Sequence, residues 1–169
     1  RHENMDECAR MNKLIVLLGL AIGLGAAAIF LTREENADPQ DSLQMAEIDI
    51  VQGAALYASS CAACHGVNLE GQPDWRSKGP DGRLPAPPHN EDGHTWHHGD
   101  GLLFKYTKLG GQATLAQSGV DYDSGMPSFG GTLTDAEILN IIGYIKSTWS
   151  DRMRETQAQR TEDEKLNGT

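Results

Sequence analysis

Two thiols and one imidazole stand within five residues, Cys61-Ala62-Ala63-Cys64-His65, in a chain whose only other cysteine is Cys8. A C-x-x-C-H run is the spacing of covalent haem attachment, in which each thiol adds across one porphyrin vinyl and the adjacent imidazole reaches the iron. The same thiols invite other readings: a zinc half-site, a thioredoxin-like pair or a disulfide. A zinc site usually needs a second ligand pair, and Cys8 lies before an apolar segment that separates it from the motif. A thioredoxin-type pair follows a strand, whereas Val51 to Ala58 reads as helix. One covalent haem c on Cys61 and Cys64, with His65 on its iron, is therefore the expectation.

Such a group dictates much of the fold. A chain of 169 residues with 38% hydrophobic content suffices for one modest domain plus accessory segments. Seven prolines and nineteen glycines, with few β-branched runs, point to short helices joined by loops rather than to sheet. The fold class expected is all-α: three or more helices around the haem, which supplies much of the core of so small a domain. The net charge is −10, and the first 32 residues contribute none of it. That balance disfavours nucleic acid and suggests partners with positive docking patches.

The chain divides into five segments. Residues 1–13 form a short stretch with Arg1, Arg10 and Lys13, read as cytoplasmic, with Met5 and Met11 both candidate initiators. Residues 14–31 are apolar without a charge, and eighteen helical residues span about 27 Å, close to the hydrocarbon thickness. As an uncleaved signal anchor this segment keeps its amino terminus in the cytoplasm; as a signal peptide it has the A-x-A-like run Ala26-Ala27-Ala28. The anchor is preferred because Ile29-Phe30-Leu31 continues the apolar run. Either way the following domain is exported, which suits haem attachment. Residues 32–46 read as a polar linker, 47–150 as the domain, and 151–169 as a polar tail, frayed helix or disordered.

Within the domain the pattern predicts helices over Ile48 to Cys61, Gly101 to Leu109 and Asp135 to Trp149. The last opens on a T-x-x-E capping box, Thr134 and Glu137, and repeats Ile138, Ile141, Ile142 and Ile145 at helical spacing. Asp100 is expected to cap the second. Gly53 and Gly143 would let the first and third helices approach closely, with Tyr57 and Tyr144 nearby.

Gly53 to Tyr57 leading into Cys61-Ala62-Ala63-Cys64-His65-Gly66, and Ser124-Gly125-Met126-Pro127-Ser128-Phe129-Gly130 leading into Leu133 to Ile138, together resemble the class I cytochrome c family over roughly Glu47 to Ser150. The resemblance implies His65 as proximal and Met126 as distal iron ligand; Met45 and Met153 fit less well. It also implies that a carbonyl in Gly79 to His89, from Pro87 or Pro88, orients the proximal imidazole. His89, His94, His97 and His98 stand outside this pattern. They are candidates for copper or zinc, or for replacing Met126. Trp96, Leu102, Leu103 and Phe104 read as pocket and core, and Trp75 and Arg76 as contacts to the haem edge or propionates.

These readings point to a single-electron carrier rather than an enzyme: a single-pass protein of the bacterial cytoplasmic membrane with its haem domain in the periplasm. By resemblance its partners are a cytochrome bc complex, a terminal haem–copper oxidase or a periplasmic dehydrogenase. A haem enzyme or gas sensor with an open distal position, or a haem-bearing accessory subunit, is the competing reading.

Overall fold

The computed structural model describes residues 47–167, so the expected segments 1–13, 14–31 and 32–46 lie outside the described residues. Among the described residues no helix is long and apolar enough to cross a membrane. They form six α-helices and one 3-10 turn, with no strand.

Helix α1 (Ile50–Ser60) starts two residues later than the apolar pattern predicts, because Asp49 caps it by accepting the Gln52 N–H at 2.9 Å. It stops at Cys61, and α2 (Ala62–His65) follows at once, so the Cys61–His65 motif straddles a helix break. The 3-10 turn Thr95–His97 precedes α3 (Asp100–Leu109). Asp100 is not its cap: Gly99 holds that position, and the Asp100 carboxylate pairs with Lys146 Nζ at 2.7 Å. A short helix that the sequence did not announce, α4 (Gly111–Gln117), follows Gly110, whose φ of 84° turns the chain.

Helix α5 (Asp135–Ser147) opens on the expected capping box, Glu137 N–H donating to Thr134 Oγ1 at 3.3 Å and Thr134 N–H to Glu137 Oε2 at 2.8 Å. It ends two residues before Trp149, which is nevertheless buried and donates its indole N–H to the His89 carbonyl at 2.7 Å. Helices α1 and α5 cross at Gly53, where a Cβ would lie 2.0 Å from the Asn140 carbonyl oxygen. Tyr57 and Tyr144 meet there with ring centroids 5.5 Å apart. Gly143 meets side chains rather than backbone: a Cβ there would lie 2.3 Å from Ile48 Cγ2 and 3.4 Å from Ile50 Cδ1.

The tail expected to be frayed or disordered is α6 (Asp151–Asn167). Its composition is almost wholly polar, yet Met153, Gln157 and Thr161 recur every fourth residue and are buried. Gln157 Nε2 donates to Asp100 Oδ1 at 2.7 Å, so the stripe is held by hydrogen bonds where an amphipathic helix would use leucines. Met153 joins a core of Tyr57, Cys61, Ala62, Leu69, Ile141, Ile145 and Trp149.

Candidate functional site

The break between α1 and α2 gives the two cysteines opposite surroundings. Cys61 is buried in the core and Cys64 is exposed. Burial, with a smaller contribution from Cys64, pushes the Cys61 thiol up to about 11, so it stays protonated.

His65 is buried, with its Nδ1 2.8 Å from the Pro87 carbonyl oxygen. A carbonyl only accepts, so Nδ1 carries the proton and Nε2 keeps its lone pair. Burial lowers the His65 pKa, and the Pro87 bond offsets this in part; the imidazole is neutral at pH 7, the form that binds a metal. Of the two prolines left open by the sequence, Pro87 supplies the carbonyl. Gly71 allows it, because at φ 68° it lies so close that a Cβ would meet Pro88 N at 2.4 Å and the Pro87 carbonyl carbon at 2.7 Å.

The Met126 loop is tied down from both sides. Gly111 N–H donates to the Met126 carbonyl at 3.1 Å, and Phe129 N–H to the Thr107 carbonyl at 3.1 Å. Met126 comes into contact with His65. Met153, by contrast, is committed to the core beside Trp149.

Among the described residues no group of three or more His, Cys, Asp or Glu is placed to hold a metal ion, so the four loop histidines form no copper or zinc site there. Each has other company. His89 stacks on His65, centroids 4.1 Å apart and planes 22° apart, and its Nδ1 lies 2.8 Å from Thr95 Oγ1. His94 stacks on Trp75 at 5.4 Å, and His97 lies against Trp96 at 3.7 Å. His98 meets His94 edge-on at 5.3 Å. Arg76 lies over the Trp75 ring and donates to the Asp92 carbonyl at 3.2 Å, so both side chains hold a loop together. The role of His89 beside His65 had no signal in the sequence, because histidine is rarely chosen to fill an apolar position.

No residue of α3, which carries Leu102, Leu103 and Phe104, is fully buried, and Leu103 packs partly buried against the core. Trp96 packs against the core, while its Nε1 is buried without a hydrogen-bond partner. A buried indole N–H normally finds an acceptor.

The family model of cytochrome c matches residues 50–149, more than half of the chain. The chain belongs to the cytochrome c family. The match begins at the first residue of α1 and ends at Trp149, so α6 lies beyond it. Neither a curated protein nor a solved structure matches the chain. Membership in the cytochrome c family implies binding of haem c and haem-based electron transfer, and the residues fit that group. Two thiols stand at attachment spacing, and a neutral imidazole presents Nε2. Apolar side chains line α3, and the orphaned Trp96 N–H matches the need of a haem propionate for a donor.

Proposed function

We propose that this cytochrome c is a single-electron carrier whose one haem is joined by thioethers to Cys61 and Cys64 and whose iron is held by His65 and Met126. The observation that carries the proposal is the meeting of a neutral, carbonyl-oriented His65 with Met126. When bound, the haem supplies a one-electron ferric/ferrous couple. The Pro87 carbonyl fixes the tautomer and plane of His65, so Nε2 needs no reorientation between redox states. The Met126 thioether is a soft, neutral donor that favours the ferrous state. The bonds from Gly111 and Phe129 keep its loop in place. With His65 and Met126 both committed to the iron, small substrates would be kept from it. Trp96 Nε1, buried without an acceptor, would donate to a propionate of the bound haem.

The segment 14–31 anchors the protein in the bacterial cytoplasmic membrane and exports the haem domain to the periplasm. There a cytochrome bc complex, a haem–copper oxidase or a periplasmic dehydrogenase serves as donor or acceptor.

The test is the visible spectrum of the full chain, expressed with haem-attachment machinery, beside that of Met126→Leu. The parent is expected to give low-spin haem with a sulfur-to-iron band in the ferric state, and the variant to lose that band and bind carbon monoxide. An identical spectrum from the variant excludes Met126 as ligand, and a high-spin parent points to a haem enzyme or sensor.

A further inference from the structure

A hydrogen bond holds the edge of a ring more firmly than its tilt, because it weakens only slowly as the donor swings out of line. The Pro87 carbonyl orients His65 from the edge, through Nδ1 at 2.8 Å. A second contact acts on the face. The His89 ring lies against His65 with centroids 4.1 Å apart and planes 22° apart, so a tilt of the His65 imidazole runs into a flat neighbour.

That neighbour is itself tied down. The His89 N–H donates to the Leu69 carbonyl at 2.8 Å, its carbonyl accepts the Trp149 indole N–H at 2.7 Å, and its Nδ1 lies 2.8 Å from Thr95 Oγ1. The first two ties fix the backbone, and the last stops the ring from turning about its own Cβ–Cγ bond. Thr95 is buried, and its hydroxyl also donates to the Pro88 carbonyl at 3.4 Å. Leu69 takes the His89 N–H from the left-handed region, at φ 65°, which a leucine keeps only where its surroundings hold it there. Tyr57 meets the His89 ring at 72°, with centroids 6.2 Å apart. An aliphatic side chain would fill the same space and offer neither a flat face nor a bond to Thr95.

We propose that His89, locked by Thr95, is a positioning residue that restricts the plane of His65 from its face, as the Pro87 carbonyl does from its edge. The inference rests on the His65–Met126 ligation above. The overlap between an imidazole π system and the iron d orbitals depends on the angle of the ring about the iron–nitrogen axis. A ring held at one angle gives one electronic state, whereas a ring that rocks gives a spread of them. Pro87 and His89 stand two residues apart in one loop, so a single stretch of chain supplies both restraints, and Trp149 ties that stretch to the end of α5. A shared ring orientation in both redox states keeps reorganisation on electron transfer small.

The experiment records electron paramagnetic resonance of the ferric full-length holoprotein, in which the largest g value and its line width report the angle and the spread of the axial ligand planes, beside a urea unfolding midpoint. His89→Leu removes the flat face and should both shift and broaden the low-spin signal. His89→Phe and Thr95→Val each keep a flat ring and lose the tie, so their signals should fall between parent and His89→Leu. A parental signal from His89→Leu, whatever its urea midpoint, makes His89 a core filler and overturns the inference; so does a His89→Phe signal that matches His89→Leu. Where His89→Leu takes up no haem, the other two variants decide: broadened signals support the inference, and parental signals from both overturn it. The parent separates the two levels. A high-spin parent defeats the His65–Met126 ligation, whereas a low-spin parent whose signal the variants leave unchanged defeats only the role of His89.

Discussion

Glu164 caps a helix whose N-cap, Gly99, lies sixty-five residues before it, its Oε1 accepting the Gly99 N–H at 3.1 Å. Its Oε2 takes the Gly101 N–H at 3.0 Å, while Thr161 Oγ1 accepts the Asp100 N–H at 3.1 Å. The free N–H groups of a helix start attract an anion, and α6 delivers one. Gly99 and Gly101 are small for the same reason, since a Cβ on Gly99 would sit 2.4 Å from the Glu164 carboxyl carbon. Glu164→Ala should cost about 1–3 kcal/mol in thermal or denaturant unfolding of the holoprotein. Glu164→Gln should cost less, because the amide oxygen still accepts. An unchanged midpoint in the alanine variant would show that solvent caps α3 equally well.

Gly53 carries a different kind of constraint. The contact its Cβ would make is with backbone, the Asn140 carbonyl oxygen at 2.0 Å, and backbone cannot rotate aside as a side chain does. Asp49 N–H donates to Asn140 Oδ1 at 3.0 Å and Asn140 Nδ2 to Gln52 Oε1 at 2.6 Å, so moving the helices apart also strains these bonds. Gly53→Ala, normally favourable inside a helix, should destabilise by about 1–3 kcal/mol or more. The check is calorimetry of the haem-loaded variant. A gain in stability would mean that the crossing is looser than its geometry indicates.

What the sequence disclosed, and what it hid, follows from how local each determinant is. The Thr134–Glu137 box, the α5 periodicity and the Cys61–His65 motif are written within a few residues, and the box opens α5 as expected, although the helix stops two residues short of Trp149. The choice of Pro87 over Pro88 depends on how the loop passes Gly71, which no local signal encodes. Asp100 has the right type to cap α3, but Lys146 takes its carboxylate and Glu164 takes over the cap. The docking of α6 on the domain stayed hidden because its buried stripe is Met153, Gln157 and Thr161, a stripe that hydropathy reads as surface. His89 escaped for a related reason: a histidine stacked on His65 and tied to Thr95 is a polar residue in an apolar place.

The buried Trp96 N–H gives a prediction about potential rather than folding. If this group donates to a propionate, it keeps that carboxylate ionised and partly offsets its charge near the iron. Trp96→Phe preserves the ring and deletes the donor. The variant should show a lower midpoint potential near neutral pH, since an unrelieved negative charge favours the ferric state. It should also show a steeper dependence on pH, because the propionate pKa rises into the measured range. Spectroelectrochemistry between about pH 5 and 8 reads both. Superimposable curves for parent and variant would place the indole N–H away from the propionates.

Glu137 makes a prediction about acid stability whose sign is fixed by its bonds. The N–H and hydroxyl of Thr134 both donate to its carboxylate at 2.8 Å, and they hold its pKa below the ordinary glutamate value. A carboxylate with a depressed folded pKa binds fewer protons in the native state than in the unfolded one, so stability rises with pH through this interval. The contribution is fully present above the unfolded pKa of about 4.3 and disappears as pH falls through the lower folded value. Glu137→Ala should therefore be less stable than the parent at pH 6, with the difference shrinking steadily below about pH 4 as the parent carboxyl protonates. Urea titrations of both proteins from pH 6 to pH 3 measure it. A gap that stays constant across that range would assign the loss to α5 helix propensity or packing and not to the charged half of the capping box.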